Sequence, residues 1–360
     1  MTRFLTFVFF VSALPIVGGC GDKKNPDGTT SGPPARISAG GSTFINPLMQ
    51  KWSSEYKQNK NAEIDYVSQG SGYGIEQTTK KTIDFGCTDA PMNKDQLAKA
   101  KEAGGDVYHI PLTMGAVAVA YNVPEIAGKE LKLTGEVLTD IYLRDESVKK
   151  WNAKRIADLN PGLALPDKDI VVVARAEKSG TSNIFSEYLS KASKGKFKAS
   201  TKPDWVQGVT GQQGSDGVSG FVKGNSYAIC YVEVEFAKKN GLATALLKNK
   251  KGAWVGPEAA AVTAAAEEAL KTKQDKEPYS LHDLTYSLTD ADGAKSYPIS
   301  GLTYAVLFAK QPKDKGPALV EFLKWATTEG QSFTTELSYA PLPDELRAKI
   351  KEKLALVTFE

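Results

Sequence analysis

Three stretches of this chain place small hydroxyl residues where a helix would begin: ISAGGSTFINPLMQKW (37–52), IDYVSQGSGYGIEQTTK (64–80) and IVVVARAEKSGTSNIFSEYL (170–189). Each reads as a strand, a Gly/Ser/Thr turn and a helix. The first turn of a helix leaves backbone N–H groups unpaired at the positive end of its dipole. With neighbouring hydroxyls these make a pocket for an anion. A single such turn is most simply a cap; two charged residues shift the reading toward a ligand. Arg175 stands four residues before Ser179 and offers a planar fork of donors matched to an oxyanion. Asp89 closes IDFGCTDA, just after a strand-like run. An ionised Asp can only accept hydrogen bonds, so it suits a tetrahedral oxyanion that still carries a proton. Monohydrogen phosphate has that proton at neutral pH and sulfate does not. The misplaced partner costs on the order of several kcal/mol, enough for discrimination.

Other chemistry has little material to work with. The 45 Lys plus Arg against 42 Asp plus Glu leave a net charge of +3, so nothing general in the charge favours nucleic acid. Histidine is limited to His109 and His282, which leaves no convincing set for a metal or for a nucleophile with a His base. Ser71 lacks a G-x-S-x-G frame because Gln69 stands where the first Gly belongs, and the S-x-x-K matches at Ser54 and Ser193 fall in lysine-rich helical stretches. The expectation is no catalytic residue, no metal and no cofactor. Cys87 and Cys230 sit inside apolar runs and are expected as buried thiols rather than a bridge.

At the N-terminus, Met1 to Gly19 carry one Arg, an apolar run from Phe4 to Val17 and then small residues, the layout of a secretory signal peptide too short to span comfortably. The run ends V-G-G-C, which resembles a bacterial lipobox with Cys20 as the acylated first residue; a plain cleaved signal is the alternative. Residues 20–35 then read as a lipidated N-terminus and a flexible, Gly/Pro-rich polar tether. The expected location is exported, periplasmic or on the cell surface, anchored through Cys20.

The elements that must position the hydroxyls and charges alternate strand and helix along the mature chain. Strands are expected at ARISAGG, AEIDYVSQ, IDFGCTD, AVAVAYNV, DIVVVARA, YAICYVEV and TYAVLFAK, with helices between them. That alternation implies an α/β class with mixed, mostly parallel sheets flanked by helices. The Ala-rich stretch 257–271 is expected to be an ordinary exposed helix.

Taken together, GGSTFINPLMQKW, QGSGYGIEQ, IDFGCTDAPM, LTDIYL with KKWN, ARAEKSGTSNIFSEYL and YAPLPDEL resemble the periplasmic phosphate-binding proteins of high-affinity phosphate ABC transporters, in order from about Arg36 to Leu346. The resemblance implies a two-lobed periplasmic-binding-protein fold of type II with the ligand cleft between lobes. The first lobe would be 36–112 plus 293–360 and the second 113–292, crossing near HIPLTMGAVAVAYNV and SYPISGLTY. It implies phosphate contacts at Thr43, Phe44, Ser71, Asp89, Arg175, Ser179, Gly180 and Thr181. Glu177 stands where the family commonly has an Asp that pairs with the Arg; Lys178 and Cys87 replace residues that are commonly small. Implied partners are inorganic phosphate and a membrane permease, with no nucleic acid and a monomeric chain. A binding protein for another oxyanion, or a phosphate sensor or scavenger without a transporter, would share this site.

Overall fold

The computed structural model describes residues 35–60, 62–272, 274 and 276–360. The expected signal peptide, Cys20 and nearly all of the tether lie outside them. The chain begins with β1 (Ala35–Gly41), α1 (Asn46–Lys60), β2 (Ala62–Ser68), α2 (Ser71–Thr79), β3 (Phe85–Thr88) and α3 (Lys94–Gly104). It continues through β4 (Val107–Asn122), β5 (Lys132–Leu133), α4 (Gly135–Tyr142), α5 (Lys154–Ala157), β6 (Val171–Arg175), α6 (Gly180–Ala192), β7 (Val209–Gln212) and α7 (Gly214–Gly224). Next come β8 (Ala228–Glu233), α8 (Val234–Lys239), β9 (Ala243–Thr244), β10 (Leu246–Lys248), β11 (Trp254–Val255) and α9 (Ala259–Leu270). The last elements are β12 (Ser300–Phe308), β13 (Lys310–Gln311), α10 (Gly316–Ala326), α11 (Asp344–Ala355) and β14 (Thr358–Phe359).

One mixed sheet in the order β2-β1-β3-β12-β4-β8-β6-β7 organises the molecule, with β9 also paired to β4. Pairing is parallel among β2, β1 and β3 and among β8, β6 and β7. It is antiparallel wherever β12 or β4 takes part. The parallel portions follow from strand–helix–strand crossovers. They place the ends of β1, β3 and β6, and the helices that follow, toward one region, as open α/β sheets do with their ligand crevices. β4 joins the two portions: Val107–Ala116 pair with β12 and Val117–Asn122 with β8. Its sequence, VYHIPLTMGAVAVAYN, is apolar nearly throughout because both faces are covered. Pro111 interrupts that run without breaking it. The register with β12 shifts between Thr303 and Tyr304, with Pro111 opposite Tyr304 and Thr113 opposite Thr303. Leu112 is thus the extra residue of a bulge, a place where a missing N–H is tolerated.

The core lies on both sides of this sheet. Around β1 and β3, Trp52, Tyr56, Phe85, Phe322 and Trp325 pack together, with the Trp52 indole N–H donating to the Gly330 carbonyl at 2.7 Å. Around β6 and β8, Tyr142, Phe185, Trp205 and Tyr231 form an aromatic cluster in which Phe185 and Tyr231 stack at 4.2 Å. Such ring pairs contribute about 0.5–1.5 kcal/mol each beyond their burial. α9 departs from expectation. Ala261, Val262, Ala265, Ala266 and Ala269 are buried, so one face packs against the molecule instead of standing in solvent. Small side chains at i, i+4 and i+8 permit that close approach. Cys87 and Cys230 are free and buried, as their apolar runs suggested.

Candidate functional site

Two local devices put the turn after β1 where it is. Gly41 has φ +133°, and a Cβ there would sit 2.2 Å from the Cys87 carbonyl oxygen, so β1 and β3 approach as only glycine allows. The Tyr339 hydroxyl donates to the Phe44 carbonyl at 2.5 Å and pins the start of α1. Between these anchors Ser42 is fully buried, and its Oγ accepts the Phe44 N–H at 3.0 Å.

Asp89, one residue beyond β3, is 4% exposed and surrounded by hydroxyls. Ser42 Oγ lies 2.6 Å from both carboxylate oxygens, Thr303 Oγ1 donates to Oδ1 at 2.7 Å, and Ser71 Oγ donates to Oδ2 at 3.2 Å. Ser71 is the first residue of α2, and its Oγ also accepts the Asp89 N–H at 3.1 Å. Burial pushes the Asp89 carboxyl up to about 6; the Ser42 and Thr303 donors oppose this by favouring the charged form, while nearby Glu233 adds to the rise.

Arg175 ends β6 and is 3% exposed. Its backbone N–H donates at 3.0 Å to the hydroxyl of Tyr231, the same ring that stacks in the aromatic core, so core packing fixes where the guanidinium begins. Glu177 Oε1 accepts from Arg175 Nε at 2.7 Å and from Nη2, and it also takes the Gly214 N–H at 3.2 Å. Nη1 is directed elsewhere, to Ser215 Oγ at 3.2 Å and Thr181 Oγ1 at 3.4 Å. Thr181 in turn donates to buried Glu233 at 2.6 Å, and Ser215 meets Thr43 Oγ1 at 2.8 Å.

These groups form one buried cluster. Ser179 caps α6 by accepting the Ser182 N–H at 3.2 Å, and Gly180 follows at the helix start. A Cβ on Gly180 would fall 2.5 Å from Ser71 Oγ and 2.6 Å from Asp89 Oδ2. The α6 N-terminus therefore abuts the Asp89 group directly. The Gly72 N–H donates to the Lys178 carbonyl at 3.2 Å beside it. All eight residues expected as contacts lie here, with Glu177 beside Arg175. Four further residues join them. Ser42 adjoins Thr43 in the motif already singled out. Ser215 sits in GQQGSDG, a fourth Gly/Ser turn between a strand and a helix, so its signal was readable. Glu233 ends a strand in the way that drew attention to Asp89. Thr303 lies inside β12 with no local signal at all.

The electrostatics are unusual for an anion site. Arg175 is set against Asp89, Glu177 and Glu233, so attraction must come from backbone N–H groups and hydroxyl dipoles rather than net positive charge. Among the described residues no group of three or more His, Cys, Asp or Glu could hold a metal, and no helix is long and apolar enough to cross a membrane. Two open surface grooves among the described residues, of about 430 Å³ beside Phe197 and about 380 Å³ beside Leu284, share no residue with the cluster.

The model of the PBP superfamily domain matches residues 28–329. The phosphate-binding protein PstS of Pasteurella multocida is 38% identical over 318 residues, covering 88% of each chain. That of Xylella fastidiosa is 36% identical over 337 residues, covering 90% of this chain and 88% of its own. A solved structure of a high affinity periplasmic phosphate-binding protein (PfluDING) bound with phosphate superposes with a TM-score of 0.70 at 19% identity, over 88% of this chain and 93% of the other, a likeness of fold. With its mixed α/β sheet and ordered motifs, the chain belongs to the PBP superfamily and, within it, to the PstS family of phosphate-binding proteins, which are substrate-binding proteins of transporters rather than enzymes.

Proposed function

We propose that this chain captures inorganic phosphate outside the cytoplasmic membrane and hands it to the permease of an ABC transporter, without chemical conversion. The observation that carries the reading is Asp89, a buried carboxylate set directly against the N-terminus of α6. An anion site with a carboxylate in its wall favours a ligand that can donate a hydrogen bond to it, and hydrogen phosphate does so. Thr43, Phe44, Ser71, Ser179, Gly180 and Thr181 would supply N–H and O–H donors, and Arg175 Nη1 the cation, with Glu177 holding the guanidinium. Donors to a charged oxyanion contribute roughly 1.5–3 kcal/mol each. Micromolar binding requires only about 8 kcal/mol, so seven such donor residues suffice after the costs of desolvation and closure.

The same reading divides the molecule into a lobe of 36–112 plus 293–360 and a lobe of 113–292, with β4 and β12 as the crossing strands and the ligand between them. The PstS names of the relatives support phosphate as ligand and a transporter as partner. The apolar run Phe4–Val17 and the V-G-G-C at its end support export and a lipid anchor at Cys20; a monomeric chain is part of the same proposal. Calorimetric titration of the purified protein against an anion panel is the test. Phosphate should bind near one to one in the micromolar range or tighter, and sulfate at least about a hundredfold more weakly, about 2.7 kcal/mol. Equal affinity for the two ions rules out the role given to Asp89.

A further inference from the structure

The carboxylate of Asp89 is held by neutral donors from two elements far apart in sequence: Ser42 after β1, and Thr303 in β12 214 residues away. Burying an isolated carboxylate is costly, and the usual remedy is a Lys or Arg partner. A cation here would cancel the negative charge. Hydroxyls satisfy the lone pairs while leaving that charge intact. The geometry is also directional. Oδ1 receives Thr303 at 2.7 Å, whereas Oδ2 has only the shared Ser42 proton and the longer Ser71 contact, and it faces the position of a Cβ on Gly180 at 2.6 Å. Thr303 occupies its place through the bulge at Leu112, where the ladder shifts by one residue beside Pro111. Bulges of this kind re-aim a side chain next to a functional site.

We propose that Ser42 and Thr303 are the positioning residues that set the selectivity of this site. They keep Asp89 an ionised acceptor in one orientation, Oδ1 tied to the protein and Oδ2 turned to the α6 N-terminus, so that a ligand with a proton to donate is accepted and one without is repelled. This rests on the oxyanion-binding reading and adds two residues to it. Thr303 acts through Asp89 rather than on the ligand, whereas Ser42 acts through Asp89 and, by accepting the Phe44 N–H at 3.0 Å, also on the turn that opens α1.

The titratable groups that face Asp89 are Tyr66 from β2, Cys87 from β3, Glu233 from β8, Tyr304 from β12 and Tyr339 before α11. Burial pushes the three tyrosines and the thiol upward, so they stay neutral through the range in which Asp89 titrates. Arg175 reaches the same cluster through Thr181 and Ser215. The sign follows. Ser42 and Thr303 stabilise the charged form, so removing either hydroxyl raises the pH at which Asp89 takes up a proton. A protonated Asp89 has an O–H to donate and no longer repels sulfate.

The experiment compares the wild-type protein with Thr303→Val, Thr303→Ser and Ser42→Ala. Phosphate and sulfate affinities are measured across pH 5 to 8, and the Asp89 midpoint is read from carboxyl carbon resonances of the phosphate-free protein, assigned with Asp89→Asn. Thr303→Val should weaken phosphate binding about tenfold at pH 7.5 and move the Asp89 midpoint up by about one pH unit. Sulfate binding should begin at correspondingly higher pH, and Thr303→Ser should restore the wild-type profile. If Thr303→Val does not fold, Ser42→Ala, on a different element, carries the same comparison. Folded variants with wild-type midpoints and wild-type phosphate-to-sulfate ratios overturn the inference. Should the wild-type protein bind no phosphate, the functional reading fails, and the midpoints still decide the role of the two hydroxyls.

Discussion

At Arg175 three of the guanidinium's directions are already committed: Nε and Nη2 to Glu177, and Nη1 toward Thr181 and Ser215. Glu177 takes the Gly214 N–H as well as the Arg. The fork is thereby preorganised, which lowers the ordering cost when an anion arrives. Arg175→Ala should weaken phosphate binding by about 30- to 1000-fold, about 2–4 kcal/mol, because it removes charge-assisted donors and leaves Glu177 without its partner. Arg175→Lys should recover little of this, since a point charge cannot satisfy Glu177 and the ligand together. A titration giving wild-type affinity for Arg175→Ala would place the site elsewhere.

Among the elements, the helix N-termini do most to build the buried cluster, and α6 is the most exacting. Ser179 caps it, Gly180 opens it, and Ser182 in its first turn bonds the Tyr231 hydroxyl at 2.6 Å, tying the helix to the aromatic core. Gly180 is required by proximity to Ser71 and Asp89 rather than by helix geometry. Gly180→Ala should leave the circular dichroism spectrum close to wild type, since alanine is the better helix residue, and lower the melting temperature modestly, because the methyl is overpacked against buried Ser71 and Asp89. The added methyl should hold α6 away from Ser71 and Asp89 and lower phosphate affinity by at least about tenfold, roughly 1.4 kcal/mol. Full affinity in that variant would show that α6 does not close on the ligand. α9 teaches a related point at the same scale. Its alanines looked like a solvent-facing helix because composition carries no direction; packing of Ala261, Ala265 and Ala269 is decided by what lies beside them.

For the whole molecule, β4 and β12 are what turn two strand–helix units into one binding device. Val107–Ala116 serve one portion of the sheet and Val117–Asn122 the other, so any motion of the portions relative to each other must be absorbed along these strands. On the reading proposed above, Cys20 anchors the chain to a membrane. Cys20→Ser should move the protein from the membrane fraction to the soluble fraction and abolish labelling with a fatty-acid probe. A variant still retained on membranes would exclude this cysteine as the anchor.

The sequence alone determined the α/β class, most strands and helices, and eight residues of the buried cluster, Asp89 and Arg175 among them. Its information was local: a Gly/Ser/Thr turn at a helix start, an Arg at a strand end and an Asp after a strand each state their chemistry within a few residues. The fourth turn, at Ser215, was equally local and readable on the same grounds. The tertiary structure alone decided what surrounds Asp89. Thr303 reaches it from 214 residues away, through a bulge set by the pairing of β12 with β4. No spacing along the chain encodes such a contact, because it depends on the register of two strands. The same holds for the Tyr231 hydroxyl under Arg175 and for the buried face of α9. Local patterns specified the donors of the cluster; the long-range sheet specified how the buried carboxylate of Asp89 is aimed.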